Sequence, residues 1–122
     1  MATGDALSPQ TIPQFVAGED INIEVTCYEE DGTTLRDMTG GDYLITFELK
    51  TTGNEVTLSK TSAASEITLG SPDDNSVTVI LTDTDTESLS DLTFRWALSG
   101  TDIFGDGQFV GAVGTGSARQ WP

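Results

Sequence analysis

The chain predicts an all-β fold: a single antiparallel β-sandwich, immunoglobulin-like or a small jelly roll, with extended terminal arms. Three observations predict it. Short runs of alternating apolar and polar residues recur along the chain, each ending in a cluster of turn formers. Thr and Ser abound, Lys is scarce, and 13 of the 122 residues are Gly, a composition that favours strands and turns over helices. No apolar period at helical spacing outlasts one turn. A chain of this length is one domain's worth and can bury roughly 65–70% of its unfolded surface, so a core is possible without staples. The single Cys27 excludes an intramolecular disulfide, and with it the disulfide-centred antibody version of the sandwich.

Residues 1–17 read as an N-terminal arm, with Gly4, Pro9 and Pro13, no sustained period, and a closing apolar pair, Phe15 and Val16. The sandwich is expected over residues 18–114. "INIEVTCY" turns Ile21, Ile23, Val25 and Cys27 to one face, and Asp31-Gly32 marks the turn that follows. "RDMTGGDY" reads as a polar corner. "YLITFELK" alternates Ile45, Phe47 and Leu49 inward, "EVTLSKT" does so with Val56 and Leu58, and "EITL" adds Ile67 and Leu69. "GSPDDNS" is a loop of turn formers. "VTVILT" then places Val77, Val79 and Leu81 inward, and "DLTFRWALS" does the same with Leu92, Phe94, Trp96 and Leu98. "QFVGAV" closes the domain, and residues 115–122 are left as a C-terminal tail. The predicted core is Ile23, Val25, Phe47, Leu49, Val79, Leu81, Phe94 and Trp96. Both terminal segments are expected to be mobile alone, so deleting residues 1–14 or 117–122 should leave a folded sandwich.

The net charge is −15, from 20 acidic and five basic residues. Such a chain repels phosphate backbones and anionic lipid, which argues against nucleic-acid and membrane partners. No apolar run approaches the ~20 residues that span a bilayer, and the N-terminus lacks the basic and apolar regions of a signal peptide.

The acidic stretch "DTDTES", beginning at Asp83, is the candidate metal loop. Against an EF-hand loop, Asp85 and Glu87 fit the third and fifth positions, but Ser88 stands where Gly is needed and Phe94 where the last Glu is needed. Asp and Thr also cap backbone N–H groups at the start of a helical turn. The stretch therefore reads as a structural corner that holds no metal, with Leu89 swinging back into the core; an irregular calcium site is the alternative.

Enzymatic readings find few groups to work with. The chain has no histidine, which removes Ser-His and Cys-His nucleophiles and every His metal site. Cys27 falls on the inward side of its strand, where a small buried thiol is the ordinary reading. Asp73 and Asp74 are neighbours in a loop and read as solvated. "GTGSAR" breaks the dinucleotide fingerprint at Arg119. No catalytic residue, cofactor site or metal site is expected.

Apolar side chains on the wrong face carry more information. Leu44 and Ile80 fall at outward positions among threonines, Ile103 and Phe104 sit in a Gly/Asp turn, and Trp121 closes the tail. With Phe15 in the arm, these six are the expected contact residues for neighbouring subunits.

The order of features resembles a known group. "AGEDINIEVTCYEEDG" leads into "LRDMTGGDYLITFELK" and then "VTVILTDTDTESLSDLTFRWALSGTDIFGDGQFVGAVG". This is similar to the small immunoglobulin-like virion proteins of tailed phages, in particular the N-terminal domain of siphophage upper baseplate proteins. Asp37, Thr39 and Gly40 match the first corner of that pattern, Phe47 and Lys50 its strand, and Leu81, Thr86 and Leu89 its second corner. The resemblance covers Gly18 to Gly114 and carries no catalytic signature. A baseplate protein of that family continues into a fibre stalk where this chain stops, which favours a capsid decoration (cement) protein over a baseplate or tail-fibre attachment protein. What it implies is a non-catalytic virion component, made in the host cytoplasm, that binds major capsid or baseplate/tail proteins. A homo-oligomer, by resemblance a trimer, is expected. The alternative from another class is a carbohydrate-binding module, for which Tyr28, Tyr43 and Trp121 are the available aromatic platforms.

Overall fold

The structure is a computed structural model of the chain, and it describes all residues except 1–6, 8, 30, 40–42, 54–56, 72, 103–107 and 121–122. Among the described residues are nine strands and one helical turn. In chain order they are β1 (Gln10–Thr11), β2 (Phe15–Val16), β3 (Ile21–Thr26), β4 (Tyr43–Thr51), β5 (Thr57–Thr61), β6 (Ile67–Leu69), β7 (Ser76–Leu81), α1 (Asp83–Glu87), β8 (Thr93–Asp102) and β9 (Gln108–Arg119).

The strands form two sheets. The smaller has the order β3-β7-β6; the larger runs β1-β9-β8-β4-β5, with β2 also on β9. With β3, β7 and β6 as strands B, E and D, and β9, β8, β4 and β5 as G, F, C and C′, this is the immunoglobulin strand order. Side chains from both inner faces meet in one core. From the smaller sheet come Ile23, Val25, Val77, Val79 and Leu81; from the larger come Ile45, Phe47, Leu49, Phe94, Trp96 and Leu98. All eight predicted core residues are buried. Period-two alternation explains this: wherever one face must leave water, the register of each strand is fixed by which residues it can bury.

The structure differs from expectation at the two ends. Both terminal segments are extended, but they are not separate from the sandwich. β1 pairs in parallel with β9 at Gly114 and Thr115, and β2 pairs in parallel with it at Ala118 and Arg119. The sheet is thus mixed: the boundary expected at 114/115 falls within its pairing, and the segment before 17/18 is paired to it up to Val16. Leu7, Ile12, Phe15 and Ala17 are buried, so deleting residues 1–14 would open the core rather than trim a free arm. Two-residue strands carry no period to read. In β9 the period is hidden because its inward positions are small: Ala112, Gly114, Gly116 and Ala118. Trp96 lies opposite Gly114 and Phe94 opposite Gly116, and a Cβ on either glycine would come within 2.5 Å of the facing ring. The aromatic rings of β8 fill the space that side chains of β9 would have taken.

Candidate functional site

The acidic corner is built from the sequence as a cap. Thr82 precedes α1 with extended backbone, its hydroxyl accepts from the Asp85 N–H, and the Asp85 carboxylate accepts from the Thr82 N–H, a reciprocal capping box. The Thr86 hydroxyl is buried, donates to the Glu19 carbonyl at 2.7 Å and accepts from the Gly18 N–H at 3.0 Å, tying the corner to the start of β3. Leu89 is fully buried. Lys60 reaches over from β5 to Asp85 at 2.7 Å and to Glu66 at 3.2 Å. Burial works to raise the Asp85 carboxyl, but hydrogen bonds from Lys60 and Thr82 outweigh it and leave it below the usual carboxylate range. Burial likewise works to lower Lys60, and its two carboxylate partners outweigh that and raise it. Among the described residues no three Asp, Glu or Cys side chains group as a metal would require.

A second constellation escaped the sequence reading. In the segment taken as a polar corner, Leu35 and Asp37 point out while Arg36 and Met38 are buried. The Arg36 guanidinium lies 3.9 Å above the centre of the Phe109 ring, a cation–π contact. Its Nε donates to the Tyr28 carbonyl at 3.1 Å, and it pairs with Glu29 at 3.3 Å. Asn75 donates to its carbonyl at 2.9 Å. These contacts tie the segment around Arg36 to β9 through Phe109 and to the neighbouring loops through Tyr28, Glu29 and Asn75, so the arginine fastens one end of the sandwich. The alternation over 35–38 was a usable signal, masked because a charged residue occupied the inward position. Cys27 lies beside it, its thiol pushed up to about 12 by burial, an effect that Arg36 only partly offsets. A thiol so placed is neutral and inert.

The expected contact residues separate. Leu44 on β4 and Ile80 on β7 are exposed, at 50% and 38%, on the outer faces of opposite sheets, and therefore do not form one patch. Leu35 is as exposed as Leu44 and was missed, standing beside Asp73 and Asp74 in a shallow loop groove. Phe15 is not a surface anchor: it is buried, tilted against Phe94 at a centroid distance of 6.1 Å. The tilt closes the core over the start of β8, which is why an aromatic residue in a Pro-flanked segment turns inward. Ile103, Phe104 and Trp121 lie outside the described residues. Of the aromatic platforms, Tyr28 and Tyr43 are half-buried, and the Tyr43 ring stands edge-on to Phe109 at 5.4 Å. No family model and no curated protein matches the chain.

Proposed function

We propose that the chain is a non-catalytic structural protein of a tailed-phage virion, a capsid decoration protein that binds neighbouring coat subunits as a homo-oligomer. One observation carries the reading: Leu44 and Ile80 stand exposed among threonines on the outer faces of the two sheets. A sandwich that leaves a large aliphatic side chain on each outer face has two surfaces suited to being covered by other subunits. The resemblance over Gly18 to Gly114 supplies the virion setting. The acidic corner and the Arg36 constellation support the non-catalytic part, since their polar groups are engaged in holding loops together. Mass spectrometry of purified particles tests the setting, and immunogold labelling tests the location. Absence from the particle would end the virion reading; label at the tail tip would move the protein to the baseplate. Leu44→Asp and Ile80→Asp should each lower particle occupancy without unfolding the sandwich.

A further inference from the structure

The five cations of this chain are not spread evenly. Arg36 and Lys60 are consumed by ion pairs with Glu29, Asp85 and Glu66. The other three, Lys50, Arg95 and Arg119, form no ion pair among the described residues, and all three occupy outward positions of the larger sheet. Of the 20 carboxylates in the chain, only Glu48 stands at an outward strand position of that sheet among the described residues. The chain as a whole carries a net charge of −15.

Lys50 and Arg95 are directly opposite each other on β4 and β8. Like charges at facing positions repel, so the fold gains nothing from this pairing. Solubility gains nothing either, since three cations only reduce the net charge of −15. Beside the pair runs a groove of about 440 Å³, with Pro9 along one wall, Ala97 and Val113 providing apolar lining, and Lys50, Arg95 and Glu48 completing it. An apolar lining with cations beside it fits an extended segment that alternates small side chains with carboxylates.

A uniform polyanion fits less well. Strands lie about 4.8 Å apart, so the three adjacent strands β9, β8 and β4 make a face only about 10 Å, two spacings, wide. Screening lengths are about 8 Å at physiological salt, so a nucleic acid crossing the face would still run onto the acidic remainder of the molecule.

We propose that the outer face of β4, β8 and β9 docks a carboxylate-bearing segment of a partner protein, with its acid groups seated between Lys50 and Arg95. This rests on the assembly reading only in taking the partner to be a protein.

The test is a titration of the isotopically labelled protein with a short blocked peptide of alternating glutamate and alanine, followed by amide chemical shifts. Shifts should cluster at Lys50, Arg95, Ala97 and Val113 and weaken as salt is raised. K50Q/R95Q, with its fold checked by the dispersion of the same spectrum, should lose roughly tenfold or more in affinity, while Lys50→Arg should retain binding. The proposal is overturned if no shifts appear or they scatter over other surfaces. It is equally overturned if the glutamine version of the peptide binds as well or K50Q/R95Q binds unchanged. Tighter binding of an oligothymidylate would assign the face to nucleic acid, and the same shifts on concentrating the protein alone would assign it to a second copy; either result overturns it. Particle composition is read independently, so failure here leaves the virion reading to its own test.

Discussion

Phe47 and Trp96 stack across neighbouring strands, with ring centroids 5.6 Å apart and planes inclined at 28°. The two rings lie at the centre of the inner face of the larger sheet. Truncating either to Ala should cost about 3–5 kcal/mol, the range for emptying a large aromatic site, and urea unfolding would measure it. Cys27 makes a second residue-scale prediction. A buried thiol with its proton held to about pH 12 should ignore thiol reagents at pH 8 until denaturant exposes it. Immediate reaction of the native protein with Ellman's reagent would contradict this burial. Phe47 and Trp96 were legible in the sequence because each sits at an inward step of an alternating strand, and Cys27 because it continues the inward side of β3 one residue past the strand's end. Arg36 was not. Alternation assigns charge to water, and here a ring face, a carbonyl and a carboxylate together replace that water.

Elements were legible to the extent that their inward residues are large. β3, β4, β7 and β8 announce themselves; β9 does so only over its first half, where Phe109 turns inward, because past it the inward positions are Gly and Ala and the facing rings belong to β8. Gly114 shows how strict that arrangement is. A Cβ there would sit 1.8 Å from the Gln10 carbonyl oxygen, so Gly114→Ala should eject β1 from the sheet. Amide exchange at Ile12, whose N–H donates to the Thr115 carbonyl, would report the loss. The acidic corner was legible as a cap because Thr and Asp have few other uses just before a helical turn. Thr82→Ala should cost about 0.5–2 kcal/mol in the same unfolding assay. The facing cations of β4 and β8 predict the opposite sign. Arg95→Thr relieves a cross-strand repulsion and should stabilise the fold by about 0.2–1 kcal/mol.

At the scale of the molecule, acid should be more damaging than the negative charge alone implies. The Asp31 carboxyl is brought to about 2 by hydrogen bonds from Thr34 and Thr33, and Asp37 is held low by Thr39. Asp85 is also low once Lys60 and Thr82 outweigh its burial. Each is an acid whose folded value lies below its unfolded value of about 4, so the unfolded chain takes up protons first as pH falls. The stability they provide is present above that value and fades as pH drops toward 2. A melting-temperature profile should therefore fall steeply below about pH 4, and Asp85→Asn should flatten part of that slope.

The parallel pairing of β1 and β2 with β9 also governs when the fold can finish. Phe15 and Ala118 are neighbours in space and almost a full chain apart in sequence. Closing so long a loop carries a high entropic barrier, and folds dominated by distant pairings form in milliseconds to seconds rather than microseconds. β9 follows β8 in the chain, so during synthesis β8 leaves the ribosome before its partner β9 does. For that interval the rim of β8 is a bare hydrogen-bonding edge beside an uncovered Trp96. The nearest strand able to satisfy it is the β9 of another copy, so crowded polysomes are where this chain is most exposed to strand exchange.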